Sequence, residues 1–313
     1  MTPPSVKMVR AKGVGGGFDA AVRLGIVQLM KFLAYALIAA LSPLPALASV
    51  MPAPGSQLTG QDAVYSLSLS KLRTHDITGA TGRLRLQVLD GCTGWASYQH
   101  MTLIIRNVDG SLTKSISDYT TWESKDGKTL TFRVSQGDGD GKMQVTDAGT
   151  AIHTGPDNRG VVRFTVPANT EVKLPAGTLF PIQHMMQLLN AGQARKAFIA
   201  PLLFDGTSTD GAESTFITVF GHQGPENTPW PALDHYASTD ANIAFFSRTN
   251  QDSTPEFSSS MRYFENGVTT DLVLDFGDFV MNGKLESLTI PKSACPAPQN
   301  NNVNNPPKPK TAG

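Results

Sequence analysis

Residues 83 to 105 read RLRLQVLDGCTGWASYQHMTLII. Leu84, Leu86 and Val88 alternate with Arg83, Arg85 and Gln87, and after the Gly-Cys-Thr-Gly break Met101, Leu103 and Ile105 alternate with His100, Thr102 and Ile104. Successive side chains of a strand point to opposite faces, so this period of two predicts strands that bury one face and wet the other. The pattern recurs at Tyr65, Leu67 and Leu69 and at Leu130, Phe132 and Val134. Further strands are expected at 142–146, 161–166, 171–174, 214–220, 243–248, 258–265, 270–276 and 283–290. Asp109-Gly110, Asp126-Gly127, Asp205-Gly206 and Asn266-Gly267 supply residues that tolerate positive φ in tight turns. The chain reads as mainly β, an antiparallel meander of roughly a dozen strands.

One segment departs from this period. In PIQHMMQLLNAGQARKAF, residues 181 to 198, Ile182, Met185, Met186, Leu189, Ala194 and Phe198 fall at helical spacing. Pro181 suits a first helical turn, and Gly192 predicts a break, giving one broken helix or two short ones over one end of the sheet.

Residues 30 to 48 carry a basic Lys31, the apolar run Phe32 to Leu41 and a closing Ala46-Leu47-Ala48, the pattern of a cleaved secretory signal peptide. The expected location is the periplasm. The run is too short and too interrupted by Pro43 and Pro45 for a permanent membrane span. Residues 1 to 29 read as an extension from a mis-assigned start, with synthesis expected to begin at Met30. Residues 49 to 61 read as a lead-in, 62 to 295 as a single β domain, and 296 to 313 as a disordered Asn/Pro tail. Without residues 1 to 48 the 26 basic and 26 acidic residues become 21 and 25, because five basic and one acidic residue are removed. A mildly acidic chain argues against nucleic acid as a partner.

Little in the sequence points to catalysis. The six histidines are scattered, no C-x-x-C or H-x-x-x-H occurs, and the Gly137 to Lys142 run reads as a turn and not as a calcium loop. No metal or cofactor is expected. No serine sits in a G-x-S-x-G turn. Asp205, Glu213, Asp275 and Asp278 are the acids a hydrolase would have to use. The chain has two cysteines, Cys92 and Cys295, and in an exported protein such a pair oxidises by default. Closing a loop of about two hundred residues stabilises by up to roughly 5 kcal/mol in the chain-entropy model. Trp95 is expected to pack in the core beside the sulfurs, with Gln99 entering the next strand; Trp122 leads into a hairpin, and His184 lies on the helical segment. These four are the candidates for packing or ligand contact.

CTGWASYQHMTL and TTWESKDGKTLTF, then LPAGTLFPIQHMMQLLNAG running into FIAPLLFDG, then RYFENGVTTDLVLDFGDFVMNGKLESL before Cys295, together resemble the EipB family of periplasmic cell-envelope integrity proteins of alphaproteobacteria. The resemblance spans about residues 62 to 295. It implies a β-spiral, a long bent antiparallel sheet that overlaps itself without closing as a regular barrel, and a disulfide between the positions of Cys92 and Cys295. At His100 family members often carry Arg. The resemblance implies a role in envelope integrity and supplies no reaction. The expected function is therefore non-catalytic binding of an envelope protein, lipid or glycan, as a monomer or homodimer. The alternative is a periplasmic hydrolase of envelope polymers.

Overall fold

The computed structural model describes residues 57–139, 141–248 and 254–295. The expected extension, signal peptide and Asn/Pro tail, and most of the lead-in, lie outside the described residues. Among these, sixteen strands and one α-helix are formed. The strands of the first half are β1 (Gln61–Leu72), β2 (Ile77–Asp90), β3 (Gly94–Asn107), β4 (Leu112–Ser124), β5 (Thr129–Gly137), β6 (Met143–His153), β7 (Gly160–Val166), β8 (Thr170–Leu174) and β9 (Thr178–Leu179). Helix α1 (Pro181–Gln193) follows, then β10 (Phe198–Ile199), β11 (Leu202–Leu203), β12 (Glu213–Gln223), β13 (Ser238–Phe246), β14 (Phe257–Phe264), β15 (Thr269–Asp275) and β16 (Phe279–Thr289).

All sixteen belong to one sheet, ordered β8-β7-β6-β5-β4-β3-β2-β1-β16-β15-β14-β13-β12-β11-β9, with β10 attached to β12. The pairing of β1 with β16 joins the first and last described strands, so the sheet curls into a nearly closed, barrel-like shape with one seam between β8 and β9. No backbone ladder crosses that seam. Side chains do: Phe132, Phe164 and Leu174 pack with Phe204 and Ala212 in one buried cluster, and the Tyr119 hydroxyl donates to the Asp205 carbonyl at 2.6 Å.

Alternation and register together build the inner wall. Gln61, Val88, Ser97 and Thr121 lie opposite one another across β1 to β4, as do Ala63, Leu86, Gln99 and Tyr119 in the adjoining row. The anticipated turn glycines 110, 127, 206 and 267 all take positive φ.

Two expectations are corrected. The helix is neither broken nor extended to residue 198: it is a single element from Pro181 to Gln193. It ends in a Schellman-type closure, with the N–H of Arg195 donating to the Gly192 carbonyl and that of Lys196 to the Ala191 carbonyl. Arg195 holds the left-handed φ of 51° usually given to glycine, so the stop signal is absent from the sequence. Gly192 serves close packing, since a Cβ there would collide with the Thr239 side chain. Phe198 has left the helix for β10, where it is exposed and stacks on Phe216. The meander also holds more strands than expected, notably β4, whose apolar residues Ile116, Tyr119 and Trp122 do not alternate.

Candidate functional site

Within the curl of the sheet lies a half-open cavity of about 320 Å³. Its walls come from β1 to β4 on one side and from β13 and β14 on the other, and the first turns of α1 close one flank. Leu58 and Thr59 of the lead-in also border it, pinned by the Thr59 N–H to the Asn266 carbonyl at 3.1 Å. Most of the lining is apolar, including Leu84, Leu86, Val88, Met185, Ile243 and Phe245. A larger open groove of about 580 Å³ lies around Arg262 and Trp230. Arg262 there is already engaged by Asp240 and Glu226, each at 2.9 Å.

Three of the four residues singled out from the sequence border the inner cavity: Trp95, Gln99 and His184. Trp122 does not; it projects from the other face of β4, and Gly94 leaves room for its ring. Trp95 carries the Lys125 ammonium 4.8 Å from its ring centroid, and Lys125 also pairs with Asp90 at 2.6 Å. His184 is 4% exposed, and its Nε2 lies 2.8 Å from the Thr215 hydroxyl oxygen. That hydroxyl spends its only hydrogen on the Pro201 carbonyl at 2.8 Å, so Nε2 must be the donor and the imidazole the neutral Nε2–H tautomer. Burial pushes the His184 pKa down to about 4, which keeps the ring uncharged.

Glu123 is the residue that sequence reasoning passed over as part of a hairpin. It is 1% exposed and accepts the backbone N–H groups of Ile182 at 2.7 Å and Gln183 at 3.1 Å. Phe180, at the helix N-cap, offers no side-chain cap, so a carboxylate 59 residues upstream supplies one. Burial raises its pKa to about 7, against the lowering effect of the two N–H donors.

The acids a hydrolase would need are divided. Asp205 borders the cavity, and burial raises its pKa; its Oδ1 accepts from the Thr207 N–H and hydroxyl at 2.9 and 2.8 Å. Burial, and then the nearby Asp205 charge, push Glu213 well above the usual carboxylate range, but Glu213 is not part of the cavity lining. Asp275 is bound by Arg73 in an exposed two-point ion pair, and the Asp278 carbonyl accepts the Arg73 N–H at 2.8 Å. Among the described residues no group of three or more potential ligands could hold a metal ion.

At one rim of the fold Cys92 and Cys295 are bonded, with Cα atoms 5.3 Å apart across a separation of 203 residues. Asp90 organises both approaches. Its Oδ1 accepts the Cys92 N–H at 2.9 Å, and its Oδ2 lies 3.5 Å from the Ser293 hydroxyl, whose oxygen in turn accepts the Cys295 N–H at 3.1 Å.

The model of the EipB-like family matches residues 52–292. The chain belongs to the EipB-like family. It is 27% identical over 252 residues to the cell envelope integrity protein EipB of Brucella abortus, covering 75% of this chain and 85% of that one. The fold is similar to the crystal structure of a β-barrel-like protein of a domain of unknown function, DUF1849, also from Brucella abortus. That likeness has a TM-score of 0.66 and 25% identity, covering 75% of this chain and 99% of that one. Membership of the EipB-like family points to a role in cell-envelope integrity. No helix among the described residues is long and apolar enough to cross a membrane.

Proposed function

We propose that this EipB-like protein is a non-catalytic periplasmic factor that maintains the envelope by binding, and that its interior cavity receives the acyl part of an envelope lipid. The observation that carries this reading is the cavity itself: about 320 Å³, mostly apolar, bounded by strands and helix. Small-molecule sites are concave, largely apolar and furnished with a few placed polar groups. An envelope protein or glycan is the other class of partner for such a factor, acting on a monomer or homodimer. The acidic balance of residues 49 to 313 argues against nucleic acid as a partner.

The hydrolase reading rests on the partly buried Asp205 and the buried Glu213. Against it, only Asp205 of the nominated acids borders the cavity, and its Oδ1 is held within its own turn. A glycosidase needs two carboxylates facing the same bond.

Native mass spectrometry of protein taken from its own periplasm tests the proposal. Co-purifying lipid, released on unfolding and rebound saturably, is the expected result. No adduct and no saturable lipid binding would remove the carrier role and leave a protein-docking factor.

A further inference from the structure

The outer face of β12 carries phenylalanines that the fold leaves bare. Alternation along the strand buries Thr215 and Ile217 and turns Phe216, Thr218 and Phe220 outward. β10 pairs with β12 so that Phe198 lies opposite Thr218, and the Val219 N–H donates to the Ala197 carbonyl at 2.9 Å, which continues the pairing past β10. Phe198 is 60%, Phe216 41% and Phe220 66% exposed, and the rings of Phe198 and Phe216 stack with centroids 5.4 Å apart. A single apolar residue on a surface needs no explanation, but three aromatic ones gathered on one sheet face mark a contact surface.

Charge narrows the choice of partner. Arg195 and Lys196, in the turn that joins α1 to β10, are exposed and share a shallow recess with Phe220. Neither has an ion-pair partner among the described residues. The acids that adjoin this region are engaged or buried. Asp240, opposite Gly221 in the register of β12 with β13, is held by Arg262 at 2.9 Å, and Glu265, which accepts from Gln193 at 2.6 Å, is 7% exposed. The adjoining wall is uncharged, with Ala244 opposite Phe216, Asn242 opposite Thr218, and Ser258 and Ser260 beyond them. A second copy docked by the same face would supply further cations and no free acid. Bare aromatic rings beside unpaired cations are the furnishing of a surface that lies on a membrane, the rings entering the headgroup boundary and the cations meeting anionic headgroups. Residues 49 to 313 are acidic overall, so attraction to such a surface depends on this face turning toward it.

We infer that the face formed by Phe198, Phe216 and Phe220, with Arg195 and Lys196 beside it, docks the protein on an anionic phospholipid bilayer. The contact is peripheral and requires no spanning segment. It is independent of the cavity and of what the cavity holds.

Co-sedimentation with vesicles tests this on protein purified from its own periplasm. The parent is expected to partition at least about tenfold more strongly onto equimolar phosphatidylcholine and phosphatidylglycerol than onto phosphatidylcholine alone, and to be released as salt is raised. Phe198→Ser combined with Phe220→Ser is expected to lower partitioning onto the anionic vesicles at least about tenfold, and Arg195→Gln combined with Lys196→Gln about tenfold. All four side chains are exposed, so both double variants should melt like the parent. A parent protein that stays in solution with anionic vesicles overturns the inference and leaves the cavity reading untouched. Equal partitioning onto the two vesicle types overturns it as well, as does a folded Phe198→Ser, Phe220→Ser protein that partitions like the parent. A dimer that this variant dissolves, with no vesicle binding by the parent, would assign the face to a second copy instead.

Discussion

Replacing Cys92 and Cys295 together by Ser is expected to lower the stability of the oxidised protein by several kcal/mol, with about 5 kcal/mol as the upper figure for a loop this long. In a domain of this size each kcal/mol moves the melting temperature by about 2–4 °C, so a fall on the order of 10 °C is the expected reading. The structure says why the effect is large. Residues 291 to 295 form no strand; Ile290 packs on the cluster of Leu233, Phe264 and Val268, and the residues that follow are tied down at their end by the Cys92 bond and the contacts around Asp90. β16 is also the strand that closes the sheet on β1, so loosening its end works on the pairing that joins the two halves. Calorimetric unfolding with and without reductant checks this. A double variant that melts with the parent would leave the disulfide without a stabilising role.

Glu123 gives the second large effect. Glu123→Ala removes the acceptor for two N–H groups at the start of α1 and leaves a gap beneath the helix. Orphaned buried donors cost about 1–3 kcal/mol each, so a loss of about 3 kcal/mol is expected in urea unfolding at pH 5. Glu123→Gln isolates the electrostatics. Because the folded carboxyl is raised from 4.5 to about 7, the unfolded chain loses that proton first as pH rises. The parent therefore loses stability from this group between pH 4.5 and 7, by about 3 kcal/mol at most, and the glutamine variant does not. The variant's deficit should shrink steadily across that window. His184 works in the opposite sense: lowered from 6.5 to about 4, it contributes stability that is lost as pH falls through those values. The two partly cancel in the parent, which is why the difference between variant and parent is the quantity to follow. A deficit that is flat with pH would show that Glu123 is ionised throughout.

How much of this was legible in the sequence depended on which face each residue serves. β1, β2, β3 and β5 were readable because their inward residues are apolar and their outward ones polar. β4 was not, because the residues it turns inward are Tyr119, Thr121 and Glu123, the polar furnishing of the cavity and the helix cap. The cysteine pair was readable from its number and the expected compartment. The cap on α1 was not, since it comes from a residue remote in sequence, and local patterns such as a Ser or Asp before the helix carry no trace of it. Trp95, Gln99 and His184 were picked separately for their chemistry, and register brings them to one cavity; Trp122 falls on the opposite face by the same alternation.

We propose that the protein serves the envelope through its interior cavity. Ser97 stands in the middle of the wall, between Val88 and Thr121, and all three border the space. Ser97→Trp should fill it. The decisive measurement is whether that variant restores resistance to envelope stress in cells lacking the gene, at parental protein level and melting temperature. Failure to restore it is the expected result. Full restoration by a folded protein with its cavity filled would show that the cavity is not what serves the envelope.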